Sequence, residues 1–156
     1  MVEVEVRIER LDPMRVAGVH GFGDSPEPQA YAKLLAWAGP AGLLEDQKKH
    51  RIFGFNNPSP SPGSPNYGYE LWIRVGSDVE SDGEPEIKEF TGGLYAVSRV
   101  TGIRHIGPAW SRLSTWCENS KYKCAGHQWL EEHIGPVTPT QSDDEVVLDL
   151  FHPIAE

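Results

Sequence analysis

Residues 69–75 (YELWIRV) return 79 positions later as residues 148–154 (LDLFHPI), with acids, aliphatic residues and aromatic residues in corresponding places. The same offset relates identical residues along the chain: Ala17 and Ala96, Gly23 and Gly102, Ala30 and Ala109, Leu34 and Leu113, Trp37 and Trp116. Chance matches would scatter over several offsets, so one constant offset indicates an internal duplication. The sequence therefore predicts two similar halves, residues 1–76 and 86–156, joined by an acidic linker at 77–85.

Each half reads as two strands, a helix and two more strands. Alternating valines and charged residues predict a strand over residues 2–8, and Ser-Pro-Glu at 25–27 is typical of a helix start. Trp37 and Trp116 are expected in equivalent, buried places between helix and sheet. The predicted fold class is α+β. Duplicated β-β-α-β-β units form an antiparallel sheet of about eight strands, with two helices on one face and a ligand groove at the seam.

Composition limits the classes of partner. The chain of 156 residues is short enough for one domain spanning 1–156, and its net charge of −9 argues against nucleic acid as a ligand. No apolar run approaches the length that crosses a bilayer, and the first residues do not resemble a signal peptide. Cys117 and Cys124 are expected to be free thiols. We therefore expect a cytoplasmic protein without a membrane or nucleic-acid partner.

Alternation also assigns side chains to faces of the predicted strands. In residues 69–75 the apolar set should face the helices, which directs Glu70 and Trp72 to the other, open face. The last strand repeats this pattern, so that Asp149 and Phe151 should face the same way. Glu70 has a second interpretation, because it could instead form an ion pair with Arg74, four residues along the same strand. Aromatic rings beside acids suit flat or cationic ligands.

Residues 15–23 (RVAGVHGFG) resemble the opening of the GyrI-like small-molecule-binding domains, which also serve as effector modules of AraC- and MerR-type multidrug regulators. Further similar segments follow in the family's order: 54–58 (GFNNP), 69–70 (YE), 92–97 (GGLYAV), 130–133 (LEEH) and 148–154. The resemblance spans nearly the whole chain. It implies two fused half-domains with a ligand groove lined by aromatic residues and one or more carboxylates. Because the first predicted strand begins at residue 2, we expect a standalone member.

The order of the family motifs implies further site residues. It places Trp129, Glu131 and His133 on the open face, with Phe53 and Phe55 as their counterparts, and Glu131 matches the family's characteristic carboxylate. The predicted ligand-binding residues are Glu131, Trp129, His133, Phe53, Phe55, Glu70, Trp72, Asp149, Phe151 and Tyr95. The facing of Tyr95 is left open by alternation. We expect no cofactor and no metal, since the spacing of Cys124, His127, Glu131 and His133 fits no standard ligand frame.

Three functions are compatible with the resemblance. The first is binding of amphipathic, planar or cationic small molecules in an aromatic and acidic pocket. The second is a hydrolase that opens the cyclopropane ring of DNA-alkylating toxins, with Glu131 as general base. The third is interaction with a protein partner, whose identity the sequence leaves unknown. The first is the prediction, and the second is its alternative, because both would use the same pocket.

Overall fold

A computed structural model describes residues 5–57, 59, 61–81, 83–135 and 142–156. In chain order the elements are β1 (Arg7–Leu11), β2 (Met14–Gly23), α1 (Pro26–Ala38), β3 (Ile52–Asn56), β4 (Tyr67–Arg74), β5 (Glu86–Phe90), β6 (Gly93–Thr101), α2 (Ile106–Glu118), β7 (Lys123–Cys124), β8 (Leu130–Ile134) and β9 (Val147–Ala155), with short 3-10 helices at Leu43–Glu45, Ile103–His105 and Asp143–Glu145. No helix in these ranges is long and apolar enough to cross a bilayer.

The chain divides into two compact units. We call Met14–Phe90 the central unit, and Met1–Pro13 together with Thr91–Glu156 the terminal unit. In the central unit the strands are antiparallel in the order β3-β4-β2-β5. Helix α1 packs on β2 and β4. Gly21 in β2 allows this close approach, because a side chain there would collide with the backbone carbonyl of Pro26.

The terminal unit follows a similar plan. Its strands are antiparallel in the order β1-β6-β9-β8, and the two-residue strand β7 pairs with the end of β9. Helix α2 packs on β6 and β9. The buried core beneath it consists of Ala96, Val100, Ala109, Leu113, Cys117, Leu148, Leu150 and Ile154.

The core stripe of each helix is narrower than predicted. In α1 the buried positions after the first turn are Ala30, Leu34 and Ala38, spaced four residues apart. The positions 79 residues later are the buried residues of α2: Ala109, Leu113 and Cys117. Trp37 and Trp116 stand one position before the last member of each stripe and are only half-buried. The prediction that both indoles are buried was wrong, because the fully buried positions are those at i, i+4 and i+8, and Trp116 packs half-buried against this core.

The first strand of each sequence repeat pairs with the second strand of the other. β1 pairs with β6, and β5 pairs with β2. The compact units therefore do not share the boundaries of the repeats at 1–76 and 86–156, and the predicted linker at 77–85 lies inside the central unit. A constant offset identifies equivalent residues. It does not decide whether a first strand pairs within its own repeat or with the other repeat, because the alternation of side chains is the same in both cases.

The α+β class and the antiparallel pairing are confirmed. The described residues contain nine strands, rather than about eight, because β7 is too short to leave a periodic signal. Of the first predicted strand, residues 2–4 lie outside the described residues, and β1 begins at Arg7. The groove at the seam and the common face of the helices stay predictions.

The equivalent leucines of the two helices provide a test of the core. Leu34→Ala and Leu113→Ala should each lower the free energy of unfolding by about 2–5 kcal/mol, because both side chains are fully buried. Arg112→Ala, at an exposed position beside Leu113, should change it by less than about 0.5 kcal/mol. Chemical denaturation at equilibrium measures all three, and a loss below about 1 kcal/mol at either leucine would contradict this core.

Candidate functional site

Four of the predicted site residues share one face of the central unit. The register places Phe53 opposite Trp72 and Phe55 opposite Glu70 in the pairing of β3 with β4. Residues that lie opposite each other in a sheet point to the same side. This side faces away from α1, because the helix-facing Gly21 lies opposite Tyr69, and adjacent strand residues such as Tyr69 and Glu70 point to opposite sides. The faces agree with those that alternation predicts, while a role in ligand binding stays a prediction.

Glu70 is held by three hydrogen bonds on this face. Its side chain is 6% exposed. Its Oε2 accepts hydrogen bonds from Trp72 Nε1 at 2.5 Å and from Lys88 Nζ at 2.7 Å, and its Oε1 accepts one from Asn57 Nδ2 at 3.1 Å. Burial by itself raises the pKa of this carboxyl, but the bonds from Lys88, Trp72 and Asn57 outweigh burial and hold the pKa below its ordinary 4.5. Glu70 is therefore ionised, and its ion pair is with Lys88.

Aromatic rings support this carboxylate. Trp72 makes an edge-to-face contact with Phe55, with ring centroids 4.9 Å apart, and a tilted contact with Phe90 at 5.3 Å. All three rings are buried. Gly18 lies opposite Trp72 on β2, and a side chain at this position would come within 3.1 Å of the indole. The absence of a side chain at Gly18 therefore lets the indole nitrogen reach Glu70.

A cleft of 380 Å³ opens beside Glu70 within the central unit. Its lining residues are Gly18, Val19, His20, Asn57, Glu70, Gly83, Glu84, Glu86 and Lys88. Among them the imidazole of His20 is the only aromatic ring, so the aromatic lining expected from the sequence is not what this cleft presents. Phe55 and Trp72 instead pack against each other behind the carboxylate. The cleft is a polar site with three carboxylates.

The acid of the terminal unit that corresponds to Glu70 is Asp149, and its hydrogen-bond donors are two arginines. Asp149 is 1% exposed and accepts hydrogen bonds from Arg7 at 2.8 Å and from Arg99 at 2.8 Å. Burial raises the pKa of its carboxyl, but the two guanidinium groups outweigh burial and lower the pKa below its ordinary 3.8. Asp149 thus forms a closed ion-pair cluster in which two permanent cations neutralise one carboxylate.

Phe151 and Tyr95 are buried on the same side as Asp149. Phe151 is two residues along β9 from Asp149, and Tyr95 lies opposite the next residue on that side, Pro153. The two rings are in edge-to-face contact at 5.4 Å. The hydroxyl of Tyr95 donates a hydrogen bond to the Gln128 carbonyl at 2.6 Å, and burial raises the pKa of this phenol. This answers the question of facing that alternation left open for Tyr95.

The register of β8 corrects the predicted face of Glu131. Glu131 lies opposite Leu150, which belongs to the core beneath α2, so the backbone directs Glu131 to the helix side. The residue opposite Asp149 is Glu132. The predicted face of this strand was wrong by one residue, because the prediction made Phe53 the counterpart of Glu131 in the repeat. The offset of 79 that holds elsewhere would have paired Phe53 with Glu132.

His133 and Trp129 follow Glu131 to the helix side. His133 lies opposite the core residue Leu148 and is buried, and burial lowers the pKa of its imidazole to about 4. Trp129 packs on Trp110 of α2, with ring centroids 5.2 Å apart, and on His152 of β9 at 4.2 Å. Its indole remains 41% exposed. The structure does not bring these residues together with Asp149 and Phe151 on one face.

The two units correspond at the 79-residue offset in their registers. In the central unit Gly18 lies opposite Glu86, and in the terminal unit the equivalent Val97 lies opposite Arg7. In the same way His20 lies opposite Glu70, and the equivalent Arg99 lies opposite Asp149. Both arginines that neutralise Asp149 are therefore replaced in the central unit. Glu86 stands where the terminal unit has Arg7, and His20 stands where it has Arg99. These two replacements remove two cations, and Lys88, at the position of Glu9, restores one.

Sequence reasoning missed the residues that surround Glu70. Lys88 is the only basic residue between Arg74 and Arg99, and this isolation in an acidic segment was a usable signal. His20 shares the alternation of β2 with Gly18, and its Nε2 donates to the Asn57 carbonyl at 2.6 Å. The positions of Lys88 and Glu86 beside Glu70 depend on the pairing of β5 with β2, which the repeat did not reveal.

The family model described as Cass2, integron-associated effector binding protein, matches residues 7–154. The chain belongs to this family. The match confirms the resemblance to GyrI-like effector-binding domains, a fold that binds small molecules. No curated protein matches the sequence.

Solved structures agree with this fold. The C-terminal domain of EcmrR is 14% identical, with a TM-score of 0.68 over 99% of this chain and 99% of that one. A hydrolase from Listeria innocua is 10% identical, with a TM-score of 0.71 over 98% of this chain and 93% of that one. SAV2435 bound to tetraphenylphosphonium is 12% identical, with a TM-score of 0.52 over 96% and 93%. These identities are too low to carry over a ligand or an activity.

The lowered pKa of Asp149 leads to a prediction about acid stability. Asp149→Asn should lower the free energy of unfolding at pH 7 by about 2 kcal/mol, because the charged hydrogen bonds to the arginines weaken. Since the folded pKa is depressed, the contribution is complete above the ordinary pKa of 3.8 and is lost as the pH falls through the folded value.

The measurement is urea denaturation at several pH values between 7 and 2.5. The difference between wild type and Asp149→Asn should narrow at the acid end. Asp144→Asn, which changes an exposed acid, serves as the control and should follow wild type. A difference that stays constant down to pH 2.5 would contradict the ionised, arginine-paired state of Asp149.

Proposed function

We propose that the central unit binds a small organic cation in the cleft beside Glu70. The observation that carries this proposal is a buried carboxylate that stays ionised and forms part of the wall of an open cleft. An ionised, desolvated carboxylate attracts a cation more strongly than an exposed one does, because less water screens the charge. The ligand classes that fit are protonated amines and quaternary ammonium or phosphonium ions.

The charge balance of the cleft supports a cationic ligand. Lys88 is shared between Glu70 at 2.7 Å and Glu86 at 3.9 Å, and Lys33 pairs with Glu84 at 3.1 Å. Among the residues that the structure describes here, three carboxylates therefore meet two ammonium groups, and one negative charge is in excess. The described lining residues include no arginine, which is the residue that most often binds carboxylate or phosphate ligands through two hydrogen bonds. An anionic ligand would meet repulsion from the excess carboxylate.

Lys88 has the properties of a replaceable counter-ion. Its side chain is 34% exposed, and its ammonium is a flexible point charge that water can readily solvate. In this proposal the cationic group of the ligand takes the place of Lys88 beside Glu70, and Lys88 turns towards solvent. Trp72 and Asn57 keep the carboxylate oriented during the exchange. An organic cation is also the ligand of SAV2435, a protein of the same fold.

Hydrolysis has less support as the function of this cleft. A general base works best with a pKa near the operating pH, whereas Glu70 has a pKa below 4.5 and its oxygens already accept three hydrogen bonds. The expected base Glu131 belongs to the helix side of the terminal unit. The Listeria protein of this fold is a hydrolase, and hydrolysis by this chain stays an alternative that product analysis with a cyclopropane-bearing alkylator can test.

Removing the charge of Glu70 tests the proposal. Calorimetric titration at pH 8 would compare N-methylacridinium with uncharged acridine, which has nearly the same shape. Glu70→Gln should weaken binding of the cation at least about tenfold, about 1.4 kcal/mol, while acridine binding changes little. Glu89→Gln removes the same charge from β5 at an exposed side chain and should leave both affinities unchanged. Equal losses of affinity for both dyes would show that the substitution disrupts the shape of the cleft, and would contradict the proposed role of the Glu70 charge.

Lys88→Met separates a cation site from an anion site. If Lys88 competes with the ligand for Glu70, its removal should tighten binding of N-methylacridinium by about tenfold at pH 8. Circular dichroism would verify that the variant is folded. If Lys88 instead recognises an anionic ligand, the variant should leave the cation unaffected and abolish binding of an anionic dye of similar size. This second result would overturn the proposed ligand class.

A further inference from the structure

Two cysteines and a histidine converge in the terminal unit. Cys117 lies in the last turn of α2, Cys124 lies in β7, and His152 lies in β9. The two Sγ atoms are 2.7 Å apart, and one ligand atom from each of the three residues lies within 4.8 Å of the others. Three different elements thus bring two sulfur atoms and an imidazole nitrogen to one point, although His152 follows Cys117 by 35 positions in sequence.

The histidine ring is oriented by its other nitrogen. His152 Nδ1 donates a hydrogen bond to the Pro153 carbonyl at 2.8 Å, because a carbonyl oxygen can only accept. This bond places the proton on Nδ1 and leaves the lone pair of Nε2 for another partner. A backbone carbonyl of this kind holds the imidazole ring in many metal sites. The same carbonyl accepts a bond from Ala125 N at 3.1 Å, which ties the segment after Cys124 to the histidine.

The turn between the cysteines is also fixed. Ser120 donates two hydrogen bonds to the Cys117 carbonyl, one from its backbone nitrogen at 3.1 Å and one from its hydroxyl at 2.8 Å. The same hydroxyl accepts a bond from the backbone of Tyr122 at 3.1 Å. Tyr122 stacks with Trp116 of α2. These contacts bring Cys124 back over the end of the helix, so the thiol pair results from an ordered turn.

We propose that Cys117, Cys124 and His152 bind a thiophilic d¹⁰ metal ion, of which Zn²⁺ is the ordinary example. Two thiolates and one imidazole are ligands that such ions prefer. Tetrahedral zinc requires the two sulfur atoms about 3.8 Å apart and the nitrogen about 3.5 Å from each. The thiols must therefore separate by about 1 Å, which a rotation of the exposed Cys124 side chain about χ1 would supply.

The site leaves one coordination position for a further ligand. Three protein ligands bind the ion, and Cys124 is exposed, so water or an external thiol can reach the fourth position. Binding releases the two thiol protons to solvent as the thiolates coordinate. The terminal unit would then carry a metal site that is independent of the cleft in the central unit. The proposed function would stand even if no metal bound here.

Cobalt provides a direct test with the full chain under a reductant. The chain contains two cysteines, so any thiolate-to-cobalt charge-transfer band in the near ultraviolet reports on this pair. We expect one equivalent of Co²⁺ to give this band together with the visible bands of tetrahedral cobalt. One equivalent of Zn²⁺ should then displace the cobalt. Absence of the bands in the reduced wild type would overturn the proposal.

Variants decide which residues bind the ion. Cys124→Ser changes an exposed side chain and should keep the fold while weakening Co²⁺ binding about 100-fold. His152→Asn should weaken it by a similar factor, whereas His105→Gln, at an exposed histidine, should bind as wild type does. If thiol titration and mass spectrometry instead find a Cys117–Cys124 disulfide, and the reduced protein binds no metal, the pair is a redox couple and the metal proposal is wrong.

Discussion

A buried carboxylate on β4 and another on β9 constrain much of the structure around them. Removing an ionised carboxylate from water costs several kcal/mol unless charged or polar donors replace the water. For Glu70 the charged donor is Lys88, and for Asp149 one of the two donors is Arg7. Both of these cations stand on the first strand of the other sequence repeat, β5 and β1. The exchanged pairing of the first strands therefore supplies the counter-charges that make burial of the acids possible.

The two units meet this constraint in different ways. Asp149 is neutralised by two arginines, and Val97 occupies the neighbouring position on β6. In the central unit the position equivalent to Val97 is Gly18, which removes bulk beside Glu70. One copy has thus become a closed ion-pair cluster that stabilises the sheet, while the other has an acidic cleft. In the proposed function, stability and ligand binding are divided between the two copies.

The sequence predicted the parts of the fold that depend on periodicity. The strands β4 and β9 alternate strictly, so the faces of Glu70 and Asp149 followed from the chain alone. Strand β8 carries three polar residues in succession at 131–133, and no alternation could decide which of them faces the helix. Lys88 was missed because its place depends on which strands pair, a long-range choice that leaves no local pattern. The cysteine and histidine cluster was missed for the same reason, since its members lie on three elements.

The electrostatics of Glu70 connect the fold to the proposed chemistry. A catalytic base must gain and release a proton near neutral pH, and burial among apolar groups would raise its pKa towards that range. The donors from Trp72, Asn57 and Lys88 do the opposite, because they stabilise the ionised form. Such a carboxylate keeps its charge at any physiological pH, and its orientation is fixed before a ligand arrives. In the proposal only Lys88, the flexible cation of the network, has to move for a cation to bind, so little reorganisation opposes the exchange.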